Sequence, residues 1–131
     1  MKGIEKTSVK VENGPAAIGP YSLGVVAGQL VFTSGQLGLE PASGSIIAGG
    51  VEAETRQALL NLKAILESAH SNLNSVVKTT VFLKDMADFS KMNSIYAEFF
   101  TESFPARSAI QVAALPKNAL VEIEAIAILN K

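Results

Sequence analysis

Two arginines stand out first, because their surroundings separate them. Arg56 follows Glu52 by four residues on the polar side of a helical pattern, so an i,i+4 ion pair and a solvated charge are expected there. Arg107 follows Phe104-Pro105-Ala106 and opens a strand-like run of Ser108, Ala109, Ile110, Val112 and Ala113. Alternation sets it on one face with Ala109, Gln111 and Ala113, all small or polar. A planar guanidinium in that setting suits a carboxylate held by two parallel hydrogen bonds. A strand-end cation paired with a carboxylate of the protein itself is the other reading, and on sequence grounds the two stand level.

The last strand-like run, Val121-Glu122-Ile123-Glu124-Ala125, puts two acids on one face and apolar residues on the other. Acids are depleted in strands. On pattern alone a charged, solvent-facing row that discourages edge pairing is the simpler account. The sharper one makes a glutamate a general base or water-positioning group, sharing a pocket with Arg107 if the last two strands are neighbours. Within Thr33-Ser34-Gly35-Gln36, Ser34 could donate a hydrogen bond and Gly35 would let a ligand approach the backbone.

Other chemistries find little support. No Gly-x-Ser-x-Gly elbow surrounds Ser34, and the single histidine, His70, falls at a helix end where it complements the dipole. Asp85 and Asp88 flank a turn, and Asp88 reads as a helix cap rather than a metal ligand. There is no cysteine, no zinc-type spacing and no Gly-rich phosphate loop. Water is left as the reactant.

These side chains need a scaffold. At 131 residues the chain is expected to form one domain, residues 1–131, with a core that needs no disulfide or metal. The apolar fraction is 48% and mean hydropathy is +0.30, a surplus that points to a filled core or to apolar surface buried against further copies. Net charge is −1, with no basic run to attract a phosphate backbone, so RNA is not an expected partner. Met1–Lys6 lacks the apolar stretch of a signal peptide, and no run is long enough to span a bilayer. A cytoplasmic, non-membrane protein is expected, with an organelle such as the mitochondrion left open.

A strand is expected around Ile4–Val9, a turn at Asn13-Gly14-Pro15, and a hairpin of Tyr21–Ala27 with Leu30–Gln36 about Gly28-Gln29. Gly38–Gly50 reads as a loop. Val51, Thr55, Ala58, Leu59, Leu62, Ile65, Leu66 and Ala69 then form one stripe of a helix over Val51–Ala69. Strand Val76–Leu83 follows. A second helix is capped by Asp88, has Phe89, Met92, Tyr96 and Phe99 on its stripe, and ends near Thr101. Strands Ala106–Ala113 and Leu120–Leu129 close the chain. The fold class is α+β, a mixed sheet with two helices on one face. The uncovered face would favour oligomerisation.

Five segments together resemble the RidA (YjgF) family of 2-iminobutanoate/2-iminopropanoate deaminases, also called the L-PSP endoribonuclease or translation-inhibitor family. They are Ala16-Ala17-Ile18-Gly19-Pro20-Tyr21-Ser22, Thr33-Ser34-Gly35-Gln36-Leu37-Gly38, Val77-Lys78-Thr79-Thr80-Val81-Phe82-Leu83, Phe104-Pro105-Ala106-Arg107-Ser108, and Leu115-Pro116-Lys117 leading into Glu122-Ile123-Glu124-Ala125-Ile126-Ala127. The resemblance implies a chorismate-mutase-like fold, a homotrimer with its sheets facing inward, and three ligand sites in clefts between subunits. It implies hydrolysis of the enamine and imine products of pyridoxal-phosphate dehydratases, giving 2-keto acids and ammonia, with no cofactor or metal. By motif position Arg107 would bind the substrate carboxylate, aided by the backbone amide of Ala109, and Glu122 would orient or activate water. Tyr21, Ser34 and Gly35 would line the pocket, with Phe89 and Asn93 as walls. Two departures stand out. Ala109 replaces a cysteine common in the family, and Leu23 replaces a glutamine, which bears on substrate preference. The rival functions are a single-stranded RNA endoribonuclease acting as translation inhibitor and a non-catalytic, chaperone-like trimer that holds keto acids.

Overall fold

The computed structural model describes residues 5–12 and 14–130; the start of the first expected strand at Ile4 and Asn13 of the expected turn lie outside them. Seven strands and two helices appear among the described residues: β1 (Lys6–Ser8), β2 (Gly24–Ala27), β3 (Leu30–Thr33), β4 (Gln36–Leu37), α1 (Gly50–Ser68), β5 (Val76–Leu83), α2 (Phe89–Phe99), β6 (Ala106–Gln111) and β7 (Val121–Ile128). They form one mixed sheet in the order β1-β2-β3-β7-β5-β6, with β4 also on β7. Every pairing is antiparallel except β5 with β6, which α2 connects. The chain is thus α+β. No described helix is long and apolar enough to cross a membrane.

Burial follows the side-chain periods. From β7, Val121, Ile123, Ala125 and Ala127 point into the core; from β5, Thr79, Val81 and Leu83 do so. Leu59, Leu62, Ile65 and Leu66 of α1 and Met92 and Tyr96 of α2 complete it. Both helices therefore cover one face of the sheet. On the other face Phe32, Ile110 and Ile128 are 40–46% exposed, an apolar surface that costs free energy in water.

The hairpin turns through Gly28 at φ 62°, the positive-φ first position that a two-residue turn of the II′ kind requires. The strand expected over Leu30–Gln36 is broken. Ser34 and Gly35 leave the ladder, Ser34 N–H donates to the Leu23 carbonyl, and β4 resumes the pairing on β7. Where the ladder opens, the Ala125 N–H is satisfied by Thr33 Oγ1 at 3.0 Å.

Two local expectations are corrected. Arg56 does not pair with Glu52. Its Nη2 forks onto both carboxylate oxygens of Glu98 at 3.0 and 3.1 Å, because α1 and α2 lie side by side. Asp88 does stand before α2, but its side chain makes no cap; Asp85 caps the preceding 3-10 turn (Met86–Asp88) through Ala87 N–H at 2.9 Å. The helix itself ends at Phe99, near the expected Thr101.

Candidate active site

Arg107 is the second residue of β6 and the register partner of Thr79 on β5, whose other partner is Ala125. This places Arg107 on the helix-covered face. Its Nη1 donates to Asn93 Oδ1 at 2.6 Å, and its Cζ lies 5.4 Å from the Phe89 ring centroid and 4.7 Å from that of Tyr96. No carboxylate among the described residues is within ion-pair distance of it. The cation is half-buried and uncompensated, with donors left over once Asn93 is served. A cavity of about 390 Å³ opens beside it, lined by Asn93, Tyr96, Phe100, Phe104 and Pro105.

The backbone adds to this. Val112 N–H donates to the Leu83 carbonyl, so by alternation Ser108 and Ile110 also bond β5, while the amides of Arg107 and Ala109 face away from it. β6 ends the sheet among the described residues. The Ala109 N–H therefore sits on a free edge two residues beyond the guanidinium.

Glu122 lies elsewhere. Its register partner is Phe82, and its side chain is on the face without helices. Burial raises its carboxyl above the ordinary value, and the like charge of Glu124 on the same face adds to this. The Glu122 side chain lies across Gly35, where a Cβ would come within 2.7 Å of Oε2. Any side chain at position 35 would push the Glu122 carboxylate out of the place it occupies. Around them is a second cavity of about 380 Å³, to which Tyr21, Leu23, Ser34, Gly35, Pro116 and Glu122 contribute. Ser34 was expected as a donor, but its hydroxyl proton is committed to the Ser22 carbonyl at 2.6 Å, so it can only accept from a ligand. Tyr21 is 44% exposed, and its hydroxyl accepts from Ile18 N–H.

The expected residues thus form two groups, Arg107 with Phe89, Asn93 and Ala109, and Glu122 with Tyr21, Ser34 and Gly35. A shared pocket for Arg107 and Glu122 within one chain is ruled out, since β5 separates β6 from β7 and the two side chains occupy opposite faces. Tyr96 and Thr79 were missed, because a tyrosine on an apolar stripe and a threonine in a β-branched strand read as core. The available signal was Phe89, Asn93 and Tyr96 at i, i+4 and i+7, one helical face carrying a polar residue between two rings. Among the described residues no cluster of three or more His, Cys, Asp or Glu is placed to hold a metal ion.

The family model described as endoribonuclease L-PSP matches residues 11–129. A RutC family protein of Pyrococcus horikoshii is 53% identical over 93% of this chain and 97% of its own length. The 2-iminobutanoate/2-iminopropanoate deaminase of Mus musculus is 51% identical over 98% and 95%. Escherichia coli TdcF, solved with bound serine, superposes with a TM-score of 0.89 at 42% identity, covering 95% of this chain and 99% of that one.

Proposed function

The chain belongs to the endoribonuclease L-PSP family, and from that premise we propose that it hydrolyses short 2-imino acids, 2-iminobutanoate and 2-iminopropanoate, to 2-keto acids and ammonia. The observation that carries this is Arg107: a half-buried guanidinium with no carboxylate partner, oriented by Asn93 and facing a cavity. A 2-imino acid offers the missing carboxylate, bonded directly to an electrophilic carbon. The free guanidinium edge and the Ala109 N–H hold that carboxylate, and Glu122 takes a proton from the attacking water. Oxygen adds to the imine carbon, the nitrogen takes a proton from solvent, and a carbinolamine forms. The C–N bond then breaks, with the proton held by Glu122 returned to the departing ammonia and the hydroxyl proton released. The raised affinity of Glu122 for a proton suits a group that must both take and return one.

Because one chain holds Arg107 and Glu122 on opposite faces of its sheet, the proposed site needs two copies: β6 of one protomer against the Glu122 face of the next. A homotrimer with three such clefts would also cover Phe32, Ile110 and Ile128. The proposed setting is the cytoplasm.

The test is imine decay in a coupled threonine dehydratase assay. Arg107→Ala is expected to lower kcat/KM about a hundredfold and to abolish binding of 2-oxobutanoate. Wild-type turnover by that variant would refute the proposal. The endoribonuclease reading takes over if RNA cleavage survives stringent nuclease removal and disappears with Arg107→Ala. A keto-acid-holding role without turnover is what remains if 2-oxobutanoate binds but imine decay never exceeds the uncatalysed rate.

A further inference from the structure

Tyr96 is held from three sides. Its hydroxyl lies 2.8 Å from Thr79 Oγ1 in a buried pair, and the Phe100 ring packs against it with centroids 4.6 Å apart at 33°. The third side carries the Arg107 guanidinium, closer to this ring than to Phe89. Tyr96 is 7% exposed and Thr79 wholly buried. A cation is drawn to the negative face of an aromatic ring, so the ring position favours one place for the guanidinium, 4.7 Å from its centroid. Thr79 is also the cross-strand partner of Arg107. The register that sets where Arg107 leaves β6 therefore sets where the tyrosine hydroxyl is anchored. A residue serving packing alone would need neither the hydroxyl nor a dedicated buried partner for it.

We propose that Tyr96, anchored by Thr79, is a positioning residue for Arg107, holding the guanidinium with one nitrogen on Asn93 and its remaining donor edge toward the cavity. The inference rests on the reading of Arg107 as the carboxylate-binding group. An arginine side chain loses considerable rotamer freedom on binding; a platform that favours one place for it beforehand lessens that loss on ligand capture. Tyr96 thus acts on binding of the carboxylate and leaves the water-activating half of the site untouched.

The experiment titrates 2-oxobutanoate and follows imine hydrolysis in wild type, Tyr96→Leu and Thr79→Val, with Tm and the NMR ring-current shift of the Arg107 δ-protons recorded for each. Tyr96→Leu is expected to raise Kd and KM about tenfold while kcat stays within about twofold. Thr79→Val keeps the ring and frees it; Kd and KM rise about threefold, and the Arg107 δ-protons move toward their unstacked positions. Kd within about twofold of wild type in a folded Tyr96→Leu, or a fall in kcat and Tm with KM unchanged, overturns the proposal. If Tyr96→Leu does not fold, Thr79→Val decides by the same readouts. Wild type that fails to bind 2-oxobutanoate overturns the carboxylate-binding reading and this inference together, whereas tight binding by wild type and Tyr96→Leu alike removes only this inference.

Discussion

At Arg107 the charge is met by an amide oxygen and two ring faces rather than by an anion, which is what separates it from Arg56 and its forked pair with Glu98. Level readings of Arg107 could not be parted by sequence, because the question was whether a carboxylate comes near, and only the tertiary structure answers that. Glu122 gives the residue scale its pH signature. A base works deprotonated, so activity requires pH above its raised carboxyl value and falls as pH drops through it. Glu124 raises that value further by like charge. Glu124→Gln is therefore expected to move the acid limb of the kcat/KM profile to lower pH, while Glu122→Gln lowers kcat at least about a hundredfold across the range. An acid limb that does not move in Glu124→Gln would show that the like charge of Glu124 does not reach the titrating group.

The elements bring these groups within reach, and several are pinned by polar contacts that periodicity does not reveal. Asn61 of α1 donates to the Leu37 and Leu39 carbonyls, and Glu54 accepts from Leu120 N–H at 2.8 Å, just ahead of β7. Helical spacing located α1 and its apolar stripe to within one residue at each end, yet Glu54, 4% exposed, was not foreseen. Charge says nothing of a partner amide sixty-six residues away. Burial raises the Glu54 carboxyl, opposed in part by the Leu120 hydrogen bond, with the charge of Asp88 raising it further. A folded-state value above the unfolded one means a contribution fully present below the unfolded value and lost as pH rises through the folded one. Glu54→Gln keeps an oxygen for Leu120 and carries no charge. It is expected to match wild type in urea midpoint below the ordinary carboxylate range and to exceed it at neutral pH. A variant less stable than wild type at neutral pH would show that the charged hydrogen bond outweighs desolvation. The broken β3–β4 strand was illegible for a related reason: Ser34-Gly35 look strand-compatible, and the Glu122 side chain that lies across Gly35 comes from a strand far along the chain.

For the molecule as a whole, the class and element order were legible because two helices and a run of strands announce themselves by period. The strand order was not, since which strand neighbours which is decided by the crossover through α2. That order puts β5 between β6 and β7 and parts the two halves of the proposed site. In the proposed site the carboxylate clamp of one copy meets the base of another. Co-expressing Arg107→Ala with Glu122→Gln, purifying the whole population of oligomers without sorting it and assaying imine hydrolysis tests this directly. Each protomer then lacks one half, but a cleft between an intact Arg107 and an intact Glu122 forms whenever the two variants stand in the right order, in about a quarter of clefts for random assembly of a trimer. Recovery of about a quarter of wild-type turnover, from parents that are each inactive, is the predicted result. Mixed oligomers as inactive as their parents would contradict it.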